Sequence, residues 1–360
     1  MNRGFGTLLV GFFLVASFVR SDDDIYFKGA KTTKNKSAIA SESAKGVVLK
    51  NGQKIPAEDI EDIFYELTTS PVLATLSYRN AFTAERDWLA AVDAKKRAAS
   101  FAEAVDKYQK ATQQISEPRV KGHLDFKLGY LRGKKAQEDG GDPKAAIAAL
   151  NSYVKAYPNT WAVTRALTLL ATLQNDSKDY AGAEQSFAEL LKLDVSDDVK
   201  NDAKLQGALA NIYLGKHAVA EAKLAELVKT LPKGSKAYGR ALVAQSECLL
   251  ATNKTDEAVG LLRAAIKDSP DKSLRAVAYN ALGANYYKAD QFKEALWEFL
   301  WVDVNYNQDR NEHAKALYYL SHIFDRIADT DKAAQSRAAL LDASYAGTEW
   351  QRRLQKEQGK

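Results

Sequence analysis

Seven alanines recur along the chain at a nearly constant interval, and that interval restricts the fold more than any other feature. Ala104, Ala146, Ala183, Ala220, Ala258, Ala295 and Ala333 are separated by 42, 37, 37, 38, 37 and 38 residues. Each follows a polar turn and opens an amphipathic stretch. Four residues later stand Tyr108, Leu150, Phe187, Leu224, Leu262, Phe299 and Arg337. Seven later stand Ala111, Tyr153, Leu190, Leu227, Ala265, Val302 and Leu340. Offsets of 0, 4 and 7 share one face of an α-helix. Pro158, Pro232 and Pro270 stand twelve residues after their alanines, where a proline stops a helix. Composition agrees, because 58 alanines against 7 prolines and 20 glycines favour helix throughout. A repeat of this length carries two helices, too little apolar surface to fold alone, and buries a core only by stacking on its neighbours.

A second helix runs upstream of each alanine. Its best copy is Tyr279-x-x-Leu282-Gly283-x-x-Tyr286, followed by Ala295, Phe299 and Val302; Trp88 and Leu128-Gly129 fit other copies. This resembles the tetratricopeptide repeat, whose pattern is Trp-x-x-Leu-Gly-x-x-Tyr, then Ala, Phe, Ala and Pro. The period exceeds the usual ~34 residues, and longer copies of this kind resemble those of bacterial envelope proteins. The fold class implied is mainly α: a tetratricopeptide-like α-solenoid of about seven helical hairpins over residues 72–345. An insert from Gly133 to Asp142 accounts for the wide second interval. Arg337 replaces the usual apolar residue in the last copy. Thr348-Glu349-Trp350-Gln351 reads as a capping box, and the charged helix it opens, within 346–360, can cover the end of the stack.

Residues 1–69 read differently. Arg3 precedes fifteen uncharged residues, Phe5 to Val19, fewer than the ~17–25 a spanning helix needs. Ser17 and Ser21 offer cleavage points, so 1–21 reads as a signal peptide; the alternative is an inner-membrane anchor formed by residues 4–19. Asp22, Asp23 and Asp24 then open the mature chain. From 22 to 69 short β-branched runs, the turn Asn51-Gly52 and a helical turn after Pro56 describe a small SH3-like or Sm-like β module. Such a module is marginal alone and is expected to dock on the helices after it. Lys28, Lys31, Lys34 and Lys36 crowd its first loop, either as a solvated loop or as a site for an anionic polymer. Thr68-Thr69-Ser70-Pro71 marks the boundary with the helices.

The net charge is +5, or 5 − 2 = +3 without Arg3 and Arg20, too small to predict a nucleic-acid partner. One cysteine, Cys248, and four histidines leave no multi-cysteine metal site and little for acid–base chemistry. Cys248 lies in a packing helix. His322 and Asp325 are three apart on one helix and could orient an imidazole, with no nucleophile tied to them. Neither a cofactor nor a metal is expected, and no enzymatic activity. By the resemblance, the first helices of the hairpins line a concave groove that grips a peptide or a partner helix. Its inward residues would include Arg165, Thr168, Thr172 and Asn175, then Lys204 and Asn211, then Arg240, Glu247, Asn280, Tyr287, Lys315, Tyr318, His322 and Asp325. Trp297 and Trp301 lie off the 0, 4, 7 stripe, either as an exposed aromatic patch or packed on the last hairpin. The expected function is a protein–protein interaction scaffold, exported to the periplasm or cell envelope, with partners whose identity the residues do not name. The alternative is an envelope factor that binds an anionic polymer through the β module, the array acting as a spacer.

Overall fold

The structure is a computed structural model and describes residues 23–28, 34–36, 38–67 and 72–359. The segment 1–22, Lys31 and the boundary Thr68-Thr69-Ser70-Pro71 lie outside the described residues, and Lys34 and Lys36, expected in the first loop, stand in a strand. Six strands come first: β1 (Asp24–Phe27), β2 (Lys34–Lys36), β3 (Ile39–Ser43), β4 (Gly46–Leu49), β5 (Lys54–Pro56) and β6 (Ile60–Phe64). They form two three-stranded antiparallel sheets, ordered β2-β1-β6 and β3-β4-β5. Asn51-Gly52 turns β4 into β5, with Gly52 at φ +86°. Ala57 to Asp59 form a hydrogen-bonded turn rather than a helix, and β6 starts at Ile60. Ile25, Val47, Leu49, Ile55, Ile60 and Ile63 fill the interior.

Fifteen α-helices come next among the described residues: α1 (Val72–Ala90), α2 (Ala94–Gln114), α3 (Pro118–Asp139), α4 (Lys144–Ala156), α5 (Val163–Asp176), α6 (Tyr180–Leu191), α7 (Asp197–Tyr213), α8 (His217–Thr230), α9 (Lys236–Ala251), α10 (Thr255–Asp268), α11 (Lys272–Lys288), α12 (Phe292–Asn305), α13 (Arg310–Arg326), α14 (Thr330–Leu341) and α15 (Glu349–Glu357). The first fourteen make seven consecutive hairpins. All seven periodic alanines open or lie within the second helix of a hairpin, and each is at most 1 % exposed. The extra residues of the second repeat do not loop out. They extend α3 to 22 residues, and the chain turns at Gly140, φ +70°.

Two compact units divide the chain. The first comprises residues 1–131 and 152–163, the second 132–151 and 164–360. In the first, the sheets are fastened to α1, α2 and the start of α3 by buried charge. Lys127 Nζ lies 2.5 Å from Asp62 Oδ2 and 2.6 Å from Glu85 Oε1, and Tyr108 donates its hydroxyl to Glu85 Oε2 at 2.6 Å. All four residues are buried. Burial holds the Glu85 carboxyl above the usual range, and the same desolvation keeps the Tyr108 hydroxyl protonated. Asp23, one of the acids expected to open the mature chain, is buried. It accepts the amides of Ile39 and Glu66 at 3.1 Å each and pairs with Arg119 at 3.1 Å. Tyr65 donates to Glu42 at 2.8 Å and accepts from Trp161 Nε1 at 3.0 Å. Removing one partner from a buried ion group of this kind leaves an uncompensated charge and is strongly destabilising.

In the second unit the hairpins share one turn. Lys178, Gly215, Asn253, Asp290 and Ala328 each stand five residues before a periodic alanine and adopt φ between 56° and 73°. The next amide reaches back to the carbonyl five residues earlier, at 2.8–2.9 Å in all five turns. This is a Schellman ending, which satisfies carbonyls that the helix terminus leaves open. Close approach of the two helices needs small residues. At Gly283 a Cβ would lie 2.8 Å from the Phe299 ring, which is itself fully buried. At the C-terminus Thr348 caps α15 by accepting the Gln351 amide at 3.3 Å. The Gln351 side chain does not close the expected box. Its amide goes to the carbonyls of Leu340 and Asp342, at 3.1 and 3.0 Å, and so seals the end of α14.

Candidate partner-binding surfaces

Within the second unit, first helices α7, α9, α11 and α13 touch their nearest counterparts directly, α7 to α9, α9 to α11 and α11 to α13. Among the described residues no second helix packs comparably on the next second helix. The first helices therefore line the inner side. A cavity of about 510 Å³ lies there, walled by Val243, Glu247 and Leu250 of α9, Ala281, Ala284 and Lys288 of α11, and Lys315 of α13. Ligand pockets run to about 300–1,000 Å³, so the space accommodates side chains of a partner. Its lining mixes small side chains with the charged ones of Glu247, Lys288 and Lys315. Burial depresses the Lys315 ammonium below the usual lysine range. Its Nζ stands 5.8 Å from the centre of the Trp350 ring. Among the described residues, no carboxylate lies within ion-pairing distance of Lys288 or Lys315.

The structure distributes the expected groove residues differently. Glu247 and Lys315 line the cavity; Arg165, Asn175, Arg240 and Tyr287 are half-buried on α5, α9 and α11 and do not. Asn211 and Asn280 are buried and serve the fold. Asn211 donates to the Gly207 carbonyl at 2.7 Å, and Asn280 joins α11 to α13 by donating to the carbonyl and carboxylate of Glu312, at 2.9 and 2.7 Å. Tyr287 meets Phe292 and Tyr319 edge-on. Tyr318 and His322 lie under α15: Tyr318 donates to Glu357 Oε1 at 2.5 Å, and His322 Nε2 is 3.3 Å from Glu357 Oε2. Sequence reasoning missed Lys288, Asn285, Ala281 and Ala284. The signal for them was the spacing 277, 281, 284, 288 on α11, one residue away from the polar positions 280 and 287.

Trp297 and Trp301 are 66 % and 46 % exposed, and Val304, one turn on, is 68 % exposed. Trp301 also rests on Tyr279, ring centres 6.0 Å apart and 18° from parallel, and Tyr279 stacks in turn on Tyr306 at 5.4 Å.

Cys248 is fully buried, and burial pushes its thiol up to about 11, away from a reactive thiolate. Asp325 does not orient His322, because its carboxylate is bound by Arg337. That pairing also explains how the last repeat tolerates an arginine on its apolar stripe: Arg337 is half-exposed there.

No protein-family model matches the chain, and no curated protein matches its sequence. Solved structures do match its fold. A tetratricopeptide repeat protein from Parabacteroides merdae superposes with a TM-score of 0.57 at 14 % identity, over 79 % of this chain and 100 % of that one. PilW, a type IV pilus biogenesis factor, gives 0.46 at 18 % identity, over 63 % of this chain and 98 % of that one. A Rap protein complexed with competence and sporulation factor gives 0.49 at 12 % identity, over 79 % and 81 %. The repeat period, the buried alanines and the first of these likenesses agree: the chain folds as a tetratricopeptide-repeat array led by a small β module.

Proposed function

We propose that the protein is a non-enzymatic scaffold that holds an extended segment or a helix of a partner protein in the groove of α9, α11 and α13. The observation that carries this reading is the cavity of about 510 Å³ on the inner side of three stacked first helices. It is lined by small and charged side chains, a surface for gripping rather than for closing around a reacting bond. The scaffold works in the bacterial cell envelope, a reading supported by the charged start, apolar core and small residues of segment 1–21. Capture from an envelope extract tests the groove. Wild-type protein should retain partners that Ala281→Tyr, which fills the cavity, does not, while Trp297→Ala retains them. Equal capture by Ala281→Tyr would remove the groove from the account. The N-terminal residue of protein purified from each cell fraction tests export: Asp22 in the envelope fraction supports it, and intact Met1 in the cytosol contradicts it.

A further inference from the structure

We infer that the α9–α11–α13 cavity selects an acidic segment, receiving a glutamate or aspartate side chain beside Lys288 and Lys315 while small apolar neighbours lie on Val277, Ala281 and Ala284. The inference rests on the groove reading above and specifies its ligand. The charges that line the cavity are Glu247 of α9, Lys288 of α11 and Lys315 of α13, a sum of +1. Among the described residues, neither ammonium touches a carboxylate. The carboxylates nearest Lys315 in effect are Glu247, Glu312 and Glu349, and Lys288 opposes them. Of the two that do not line the cavity, Glu312 is already bound by the Asn280 amide and Glu349 faces Arg353 on α15.

The half-buried Lys315 ammonium rests over the Trp350 ring but has no carboxylate partner among the described residues, an arrangement that costs free energy until an anion arrives. A carboxylate entering from the groove recovers that cost through a charge-assisted hydrogen bond. Glu247, carried by α9, repels the same group and so favours its placement beside α11 and α13, which carry the lysines. The Asn285 side chain makes no hydrogen bond among the described residues and lines the cavity, so it offers a donor and an acceptor to the main chain of the segment. Lysines bind as flexible point charges without the fork of an arginine, which suits a side-chain carboxylate within a segment that runs on through the groove.

The test is selection from a random 12-residue peptide library displayed with its C-terminus fused, panned on the full-length protein and on Ala281→Tyr. Enriched sequences are then made as C-terminally amidated peptides and measured by fluorescence anisotropy. The expected result is enrichment of Asp and Glu beside small apolar residues, with Kd rising at least tenfold in Lys315→Met and in Lys288→Met. Glu247→Gln should bind no more weakly than wild type, and added salt should weaken binding. Lys288 is exposed, so its variant keeps the test valid where Lys315→Met fails to fold. Enrichment of basic or neutral peptides, undiminished binding in both lysine variants, or binding only with a free C-terminal carboxylate overturns the inference and leaves the groove standing. Enrichment that is equal on Ala281→Tyr, or absent altogether, overturns the groove reading itself.

Discussion

Gly283, buried in α11, and Gly260, exposed in α10, are both helical glycines with opposite demands. A methyl group at Gly283 meets the buried Phe299 ring at 2.8 Å, whereas at Gly260 it meets nothing within 4 Å. Gly283→Ala should therefore lose about 1–3 kcal/mol through overpacking, and Gly260→Ala should gain about 0.5–1 kcal/mol from helix propensity; urea denaturation of the two variants measures both. Lys127→Met strands two buried carboxylates and should cost about 3–5 kcal/mol, read by the same method. Lys315 predicts the reverse sign. Its ammonium is held below the lysine range by burial, with Lys288 adding to the effect and Glu312, Glu247 and Glu349 opposing it. The folded state thus releases its proton at lower pH than the unfolded chain, and stability rises as pH climbs from the folded pKa towards 10.5. Lys315→Met should be more stable than wild type at neutral pH, by an amount that shrinks over that alkaline window. At this scale the alanine stripe was legible because its residues answer to one helix period. The Lys127 group was not, because its partners stand 42 and 65 residues away in the chain, and no local pattern distinguishes a paired buried lysine from a solvated one.

The hairpin turn is the element on which the second unit is built, and it asks for a left-handed residue. Only one of the five such turns supplies glycine, Gly215; Ala328 takes the same conformation at φ 62° with a Cβ. A non-glycine residue there costs roughly 1–2 kcal/mol, so Ala328→Gly should raise the melting temperature, and Gly215→Ala should lower it; calorimetry distinguishes the signs. The turn was half-legible. Polar residues before each alanine signalled a break, but Lys178 and Ala328 carry no preference for positive φ and gave no hint of it. The aromatic stripe of α12 belongs to this scale too. Trp297 is mostly exposed, so Trp297→Ala should shift stability by less than about 0.5 kcal/mol, whereas Trp301→Ala removes a ring stacked on Tyr279 and should shift it more. The groove lining was the least legible element. Polar residues attracted attention as ligand contacts, yet the inner face of α11 is made by Ala281 and Ala284, whose value is the room they leave.

At the scale of the molecule, the strands and the first helices belong to one compact unit, although sequence composition changes sharply between them. Asp62, Glu85 and Lys127 come from a strand and two different helices, so the β module has no complete interior without α1 and α3. The remaining hairpins repeat one packing solution, with an alanine at each crossing and a cap at the end. Such an array has an inner face made of first helices, and the whole account turns on that face being where a partner is held. Site-specific photo-crosslinking in cells reads it directly, with a benzophenone amino acid placed at Val243 or Val277 on the inner side and at Val304 on the outer. The account predicts partner adducts from Val243 and Val277 that disappear with Ala281→Tyr. Adducts confined to Val304, with none from the inner positions, would contradict it.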